Sequence, residues 1–362
     1  MPVMARLKDW LGLSAPLIFM LVFVPAAIVS QLVEADPVLR FAMSALGVIP
    51  LAGLIGEATE ALADRTGPRL GGLLNATLGN AAELIIALAA LREGLLDLVL
   101  ASITGSILGN LLLVLGAALL LGGIKNGVQT FDRTHAGLDA TLLILSVIAL
   151  GIPSLFNFAI EPNFASVEGL SIGASIAMLV MYGLAVLYSL TSRGSGSDPL
   201  AREAHPPSGW SVRRALVVLA VAVAFIVVLS EILVASVEPV TEALGLSEFF
   251  IGIILVPIVG NVAEHLVAVQ VAIKNKMDLS LSIAVGSSLQ IALFVAPLLV
   301  LLSLVVGNPL ALEFNGFELA AVAAASIIAA FVSLDGESNW LEGAMLLVVY
   351  TILALAFFFL VP

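Results

Sequence analysis

Two short stretches place an amide and a carboxylate together inside apolar sequence that is long enough to cross a bilayer. They read LGNAAELIIAL and VGNVAEHLVAV. In each, a glutamate (Glu83 or Glu264) follows an asparagine (Asn80 or Asn261) by three residues, so the two side chains share one face of a helix. Ionisable groups inside membrane segments are costly and usually functional. The motifs therefore predict a site that binds a cation, protons, or each in turn.

Two carboxylates in a low-dielectric site repel each other when both are ionised, so they must share protons or hold a cation. Ca²⁺ suits them because it takes six to eight oxygen ligands, including carboxylates, amides and backbone carbonyls. Further candidate ligands on the next apolar segment of each half are Ser106, Asn110, Ser287 and Gln290. Such polar side chains are equally typical of hydrogen bonds between membrane helices. Protonation of the glutamates releases the cation, and their ionisation recruits it. The site therefore binds either the cation or protons but not both, as antiport requires.

Other ionisable residues are candidates for moving protons to the two motif glutamates. Glu57 and Glu60, in GEATEAL, lie on one side of a helix at i,i+3 spacing, and Glu231 in LSEILV is a candidate counterpart of Glu57. His265 directly follows the second motif glutamate and could tune its proton affinity. With the motif glutamates, these residues form the predicted proton-coupling set. The structural alternatives are acids near a helix end and a packed histidine.

The composition of the chain indicates a polytopic membrane protein. Of 362 residues, 61% are hydrophobic and only 11% are charged, whereas a soluble domain carries about a quarter charged residues. There are no cysteines and three histidines, so neither thiolate chemistry nor a histidine-rich zinc site is expected. The net charge of −12 argues against binding of nucleic acid. No nucleophile and base occur at convincing spacing, so we expect neither an enzyme nor a cofactor.

Eleven apolar runs have about the length that a membrane-spanning helix needs. They are too continuous for barrel strands, which alternate, so the predicted fold is an all-α bundle of eleven transmembrane helices. The predicted spans lie near 12–32, 41–63, 69–91, 96–122, 136–158, 169–190, 212–236, 246–272, 279–306, 317–334 and 341–361.

The distribution of Lys and Arg predicts the orientation in a cell membrane. Twelve of the fourteen basic residues fall on the side of the N-terminus, and only Arg40 and Arg92 fall on the other. Basic loops stay in the cytoplasm, so the N-terminus is predicted to be cytoplasmic and the C-terminus outside. The basic residues on the cytoplasmic side are Arg6, Lys8, Arg65, Arg69, Lys125, Arg133, Arg193, Arg202, Arg213, Arg214, Lys274 and Lys276.

The two motifs belong to an internal repeat with a constant offset of 181 residues. Each copy would contain five helices, an odd number, so the copies would be inserted upside down relative to each other and meet near the bilayer midplane. The predicted units are an N-terminal helix at 1–33, repeats at 34–190 and 211–362, and a cytoplasmic Gly/Ser/Pro-rich linker at 191–210. The matching pairs are Gly79/Gly260, Asn80/Asn261, Ala82/Ala263, Glu83/Glu264, Gly105/Gly286, Ser106/Ser287, Leu108/Leu289 and Leu112/Leu293.

The motifs, GNAAE with GSILGNLLLVLG and GNVAEH with GSSLQIALFVAP, resemble the two signature repeats of the Ca²⁺/cation–proton exchanger (CAX) family. The resemblance covers the second to the eleventh predicted helix, and the first is similar to that family's extra N-terminal span. It implies that Glu83 and Glu264 bind the cation and the protons, with Asn80 and Asn261 lining the same site. One departure is Gly109, where the family usually has serine, so the ligands of that helix differ.

The resemblance also implies a function. Ser287 and Gln290 match the second signature, and the family exchanges Ca²⁺ for H⁺ by alternating access. We therefore expect an antiporter that exports cytoplasmic Ca²⁺, with Ca²⁺, H⁺ and the lipid bilayer as its partners. Na⁺/Ca²⁺ exchange or transport of another divalent cation such as Mn²⁺ is the nearest alternative, and a cation channel is disfavoured by the inverted repeat. The sequence leaves the oligomeric state open.

Overall fold

The computed structural model describes residues 10–159, 164–191 and 209–360, and these residues are almost entirely helical. Long apolar runs become helices because every backbone N–H and C=O in lipid must find a partner within the chain. Of the predicted cytoplasmic linker at 191–210, most lies outside the described residues, as do Arg6, Lys8, Arg193 and Arg202.

The first half consists of eight helices and a short strand within the described residues. Helix α5 passes through a π-helical segment, Gly109–Val114, directly into α6. The elements are α1 Ala15–Met20, α2 Phe23–Leu32, α3 Pro37–Leu78, α4 Ala81–Arg92, α5 Leu96–Leu108, α6 Leu115–Asn126, β1 Gln129–Thr130, α7 Arg133–Ala159 and α8 Phe164–Thr191.

The second half, from residue 212 onward, also consists of eight helices and a short strand within the described residues. Helices α11 and α12 are joined by a π-helical segment, Ile251–Leu255, and α13 and α14 by another, Ile291–Val295. The elements are α9 Val212–Ala235, α10 Val237–Leu244, α11 Glu248–Phe250, α12 Val256–Ile273, α13 Met277–Gln290, α14 Ala296–Val306, α15 Gly316–Val332, β2 Glu337–Ser338 and α16 Trp340–Phe359.

Ten of the eleven predicted spans have a counterpart in the structure. Among the described residues, nine helices are long and apolar enough to cross a membrane, and Gly316–Val332 is a shorter apolar helix at the tenth predicted position. The exception is the span predicted at 69–91. There the structure has the end of α3, a break at Gly79–Asn80, and then the 12-residue helix α4.

The helix boundary predicted at 64–68 is therefore wrong. Gly67 and Pro68 favour a loop, but α3 runs through both positions. A proline removes only one backbone donor and already has a helical φ, so a helix continues through it where neighbouring groups compensate. Just before it, the Thr66 hydroxyl donates to the carbonyl of Leu62 at 3.1 Å. The chain instead leaves helical geometry at Asn80, where φ is −96° and ψ is 18°.

The loops of the bundle gather at two opposite ends, and we call the first of them the basic end. Strand β1 pairs antiparallel with β2, which joins the loops before α7 and α16. The Gln129 side chain donates to the carbonyl of Ala272 at 2.9 Å, which adds the loop between α12 and α13. Arg65 donates to the carbonyl of Trp210 at 3.2 Å, just before α9. The basic residues of these loops and their flanking helix ends are Arg65, Lys125, Arg133, Arg213, Arg214, Lys274 and Lys276.

The second end, which we call the acidic end, contains the loops at 93–95, 236–247 and 307–315. The Asn308 side chain donates to the carbonyl of Leu91 at 2.9 Å and so ties two of these loops together. The third loop joins them through Glu248, which accepts a hydrogen bond from the backbone of Leu98. Apart from the predicted loop at 64–68, which is helical, the loops named at the two ends are ones that the span prediction assigns to opposite sides of the membrane.

Candidate cation and proton site

Glu83 lies at the centre of the site. It stands in the first turn of α4, after the break at Gly79–Asn80, and its side chain is buried. Its Oε1 accepts hydrogen bonds from the Ser106 hydroxyl on α5 and from the Asn261 amide on α12. Its Oε2 is also buried and accepts no hydrogen bond from any residue that the structure describes. The carboxyl is thus held at one oxygen, and the other is left for a ligand or a proton.

Asn80 and Asn261 hold the site together from two different halves of the chain. The Asn80 amide donates to Gln290 Oε1 on α13, and Asn80 Oδ1 accepts from the Ser287 hydroxyl at 3.5 Å. Asn261 donates both to Glu83 and to the carbonyl of Pro257 at 3.1 Å, one turn earlier in its own helix. The predicted residues Asn80, Asn261, Ser106, Ser287 and Gln290 are therefore brought to one place around Glu83.

Glycines allow the helices to come this close. A Cβ added at Gly260 would lie 2.9 Å from Glu83 Cγ, so the backbone of α12 packs directly on the carboxyl-bearing side chain. A Cβ at Gly105 would lie 2.0 Å from the carbonyl oxygen of Ile253 and 2.7 Å from Pro257 Cγ. Only glycine fits where two backbones approach in this way.

Glu264 lies one turn after Asn261 on α12 and is half-buried. Its carboxyl is close enough to Glu83 for the two charges to repel each other when both groups are ionised. The next residue, His265, points to a different partner: its Nε2 lies 3.1 Å from Oδ1 of the buried Asn110. The two predicted glutamates are therefore near enough for their charges to interact, whereas His265 and Asn110 form a hydrogen-bonded pair of their own.

The other predicted proton-coupling acids are Glu57 and Glu60 on α3 and Glu231 on α9. Glu57 and Glu60 are half-buried on α3, and the Glu57 carboxyl packs against Gly12. Glu231 is exposed at the acidic end, where its carboxylate pairs with Arg92 at 3.3 Å. The repeat offset relates Glu57 to Glu238 rather than to Glu231. A role of these acids in proton coupling stays a prediction.

Sequence reasoning missed two buried acids outside this cluster, Asp139 on α7 and Glu318 on α15. Both lie near the N-terminal end of a predicted span, and a carboxylate among apolar neighbours was the signal that could have identified them. It also missed the π-helical segments that begin at Gly109 and at Ile291, which lie at nearly equivalent positions of the two halves. Such segments are frequent at functional sites, but no residue pattern in this sequence indicates them.

The arrangement fits a hard cation better than it fits catalysis. The oxygens of two carboxylates, three amides and two hydroxyls are the ligand types that Ca²⁺ takes. Among the described residues, no group of three or more His, Cys, Asp or Glu side chains forms a ready-made metal site. The cation would therefore rely on neutral oxygens beside the glutamates, which favours a site that binds and releases over one that holds a resident metal.

Comparison with known proteins agrees with this geometry. The family model described as sodium/calcium exchanger protein matches residues 37–191 and 214–359. The chain is 44% identical to a Ca²⁺/H⁺ antiporter of Aphanothece halophytica, over 94% of this chain and 95% of that protein. It is 45% identical to the Ca²⁺/H⁺ antiporter ChaA of Bacillus subtilis, over 93% of this chain and 97% of that protein.

Solved structures show the same fold. The structure of native YfkE superposes with a TM-score of 0.84 at 42% identity, covering 95% of this chain and all of that one. The H⁺/Ca²⁺ exchanger CAX superposes with a TM-score of 0.75 at 15% identity, covering 95% of this chain and 92% of that one. These relatives are transporters and not enzymes. The resemblance of the two motifs to exchanger signatures is confirmed, and the chain belongs to the sodium/calcium exchanger protein family.

Proposed function

We propose that this protein is a secondary active antiporter that exports cytoplasmic Ca²⁺ in exchange for H⁺. The relatives that match nearly its whole length are named Ca²⁺/H⁺ antiporters, which supports these ions as its substrates. The observation that carries the proposal is the carboxyl of Glu83. One of its oxygens is fixed by Ser106 and Asn261, the other is buried without a partner, and the charge of Glu264 lies nearby.

These contacts make the binding of Ca²⁺ and the binding of protons mutually exclusive. When both glutamates are ionised, their repulsion is relieved by a divalent cation bound between Glu83, Glu264 and the neighbouring amide and hydroxyl oxygens. When both carry protons, the same oxygens no longer attract a cation. One Ca²⁺ would then exchange for two protons without net movement of charge. Flux that depends strongly on an imposed membrane potential would contradict this stoichiometry.

The contrast between two repeat-related glycines supports alternating access. Gly105 is packed against the carbonyl of Ile253, whereas its counterpart Gly286 has no atom within 4 Å of an added Cβ. Gly286 instead lines a cavity of about 400 Å³, together with Gln290 of the site and with Asp139, which lies two turns from the basic end. We infer that one repeat is closed here and the other open toward the basic end, and that transport exchanges these two arrangements.

The helices that move would be α3 and α9, the first of each repeat, which pack against each other along their length. The concentration of Lys and Arg at one end of the bundle supports an orientation with that end in the cytoplasm. In this orientation the open side faces the cytoplasm, from which Ca²⁺ is taken up.

A second candidate keeps the fold and changes the ions, to Na⁺/Ca²⁺ exchange or to transport of Mn²⁺. The description of the family model favours it, since it names sodium and calcium. Uptake of radiolabelled Ca²⁺ into vesicles, driven either by a pH gradient or by a Na⁺ gradient, separates the two candidates.

Reconstituted vesicles provide the test of the proposed function. A pH gradient should drive Ca²⁺ uptake by the wild type, and Glu83→Gln and Glu264→Gln should each abolish it because a neutral amide can neither ionise nor take up a proton. Glu242→Gln is the matched control, since this glutamate is exposed on α10 at the acidic end and lies outside the predicted proton-coupling set. Undiminished uptake by both site variants would refute the paired-carboxylate site.

A further inference from the structure

A second buried carboxyl lies apart from the central site, at the acidic end. Glu318 stands at the third position of α15, where its Oε2 accepts a hydrogen bond from the backbone N–H of Asn315 at 2.9 Å. Asn315 in turn accepts from the Glu318 backbone, so the pair forms a capping box. The Glu318 side chain is only 3% exposed, and its Oε1 makes no hydrogen bond to any described residue. Helix capping accounts for one of its oxygens and leaves the other unexplained.

The free oxygen of Glu318 faces a second unsatisfied group on α5. The Thr104 hydroxyl is 1% exposed and lies beside the Glu318 carboxyl, close enough to interact with it, but without a well-aligned hydrogen bond to any described residue. Both residues line a cavity of about 10 Å³ whose other walls are apolar side chains of α5, α7 and α15. A cavity of this size accommodates about one water molecule, which needs two or more polar partners. Glu318 Oε1 and Thr104 Oγ1 are such partners.

The surroundings of Glu318 contain acids rather than bases. Asp97, at the start of α5 and near the acidic end, is close enough to act on its charge. The other groups around the cavity, from α7 and from the loop before α15, are the apolar side chains of Val147, Leu150 and Phe314. A buried carboxylate with one unsatisfied oxygen and an acidic neighbour is costly to keep ionised. It is well placed to take up a proton or to hold one through a water molecule.

The geometry points to Glu318 as a third proton-binding carboxyl of the transport cycle, in addition to Glu83 and Glu264, loaded from the acidic end, held next to the Thr104 hydroxyl, and raising the proton count above the two that those glutamates exchange. Thr104 lies two residues before Ser106, whose hydroxyl donates to Glu83, so α5 touches both carboxyls. In this step, a proton from solution at the acidic end joins the Glu318 carboxylate to form the carboxylic acid, and later leaves to water. This inference rests on the proposed antiport and adds a proton-binding residue to it.

The test separates proton-driven uptake from Ca²⁺ self-exchange, which needs no net proton movement. Glu318→Gln keeps an acceptor at the capping position but cannot titrate. We expect proton-driven Ca²⁺ uptake to fall roughly tenfold or more, which is less than the roughly 10²–10⁴-fold cost of losing a general acid or base, because Glu83 and Glu264 still bind protons. Self-exchange of labelled against unlabelled Ca²⁺ should stay close to wild type. Thr104→Val, which removes only the hydroxyl, should lower proton-driven uptake in the same selective way.

Glu342→Gln is the matched control. Glu342 forms the second capping box of this half, with Asn339, but lies at the basic end and away from the cavity. The Glu342→Gln variant should show wild-type proton-driven Ca²⁺ uptake and wild-type Ca²⁺ self-exchange. Equal loss of both fluxes in Glu318→Gln would assign it a purely structural role, and unchanged fluxes would remove it from the cycle, so either result overturns the inference. Should Glu318→Gln not fold, unchanged proton-driven uptake by Thr104→Val overturns it. Absence of wild-type uptake would instead refute the antiport itself.

Discussion

Gly105 and Gly286 are packed differently, so replacing each of them by alanine should change the stability of the protein in opposite directions. Alanine at Gly105 places its Cβ 2.0 Å from the carbonyl oxygen of Ile253 and 2.6 Å from the carbonyl carbon. Ordinary contacts are about 3.5–4.0 Å, so α5 and the Ile253 segment must separate by more than about 1 Å. Backbone atoms cannot rotate aside as a side chain can. Overpacking usually costs about 1–3 kcal/mol, and we expect Gly105→Ala to lower the free energy of unfolding by an amount in the upper part of this range or above it.

Alanine at Gly286 meets nothing within 4 Å. Replacing a glycine in a helix interior by alanine removes backbone freedom from the unfolded chain and should stabilise by about 0.5–1 kcal/mol. If the two repeats exchange arrangements during transport, however, Gly286 must later enter the tight contact that Gly105 makes here. Gly286→Ala should therefore raise stability in the present arrangement and still lower the rate of Ca²⁺ uptake.

Thermal unfolding of the purified protein in detergent, with Ca²⁺ uptake into vesicles measured on the same preparations, tests both substitutions. The expected pattern is a lowered melting temperature for Gly105→Ala, and a raised one with slowed uptake for Gly286→Ala. Equal melting temperatures for the two variants would contradict the packing difference. Wild-type uptake by Gly286→Ala would contradict the exchange of arrangements between the repeats.

Three further predictions concern smaller contacts. Ser287→Ala should weaken apparent Ca²⁺ affinity because the Ser287 hydroxyl donates to Asn80. Ser288→Ala should leave the affinity unchanged, because Ser288 donates to the carbonyl of Ala284 in its own helix. The dependence of uptake on Ca²⁺ concentration checks both variants. Glu231→Gln should change stability by no more than about 1 kcal/mol in a melting assay, since its ion pair is exposed. Hydrogen bonds from His135 lower the pKa of Asp132, so Asp132→Ala should lower the melting temperature at pH 7, and the difference should shrink as pH falls below about 3.8.

Most of the helices could be predicted, and the candidate residues of the central site could be chosen, because each follows from a strong local rule. An apolar run must be helical in lipid, and a carboxylate kept inside one must have a partner. The repeat then relates Glu83 to Glu264 and brings Asn80 and Asn261 with them, and the structure shows contacts between the two halves at these residues.

The rest could not be predicted because it depends on contacts between helices. Gly67 and Pro68 are local signals for a helix end, yet α3 continues through them, and the break falls at Gly79–Asn80 instead. The repeat also carries no information on how its copies differ, so the packed Gly105 and the open Gly286 look the same in the sequence. Glu318 resembles a capping residue until the unsatisfied Thr104 is seen beside it.

Binding of Ca²⁺ to the purified protein, measured by calorimetry in buffers of different ionisation enthalpy, tests the exclusive loading of Glu83 and Glu264 most directly. The account predicts that Ca²⁺ binding releases protons, that affinity falls as pH is lowered, and that Glu83→Gln and Glu264→Gln each weaken Ca²⁺ binding and lower the number of protons released. Binding without proton release, with the same affinity at every pH, would contradict it.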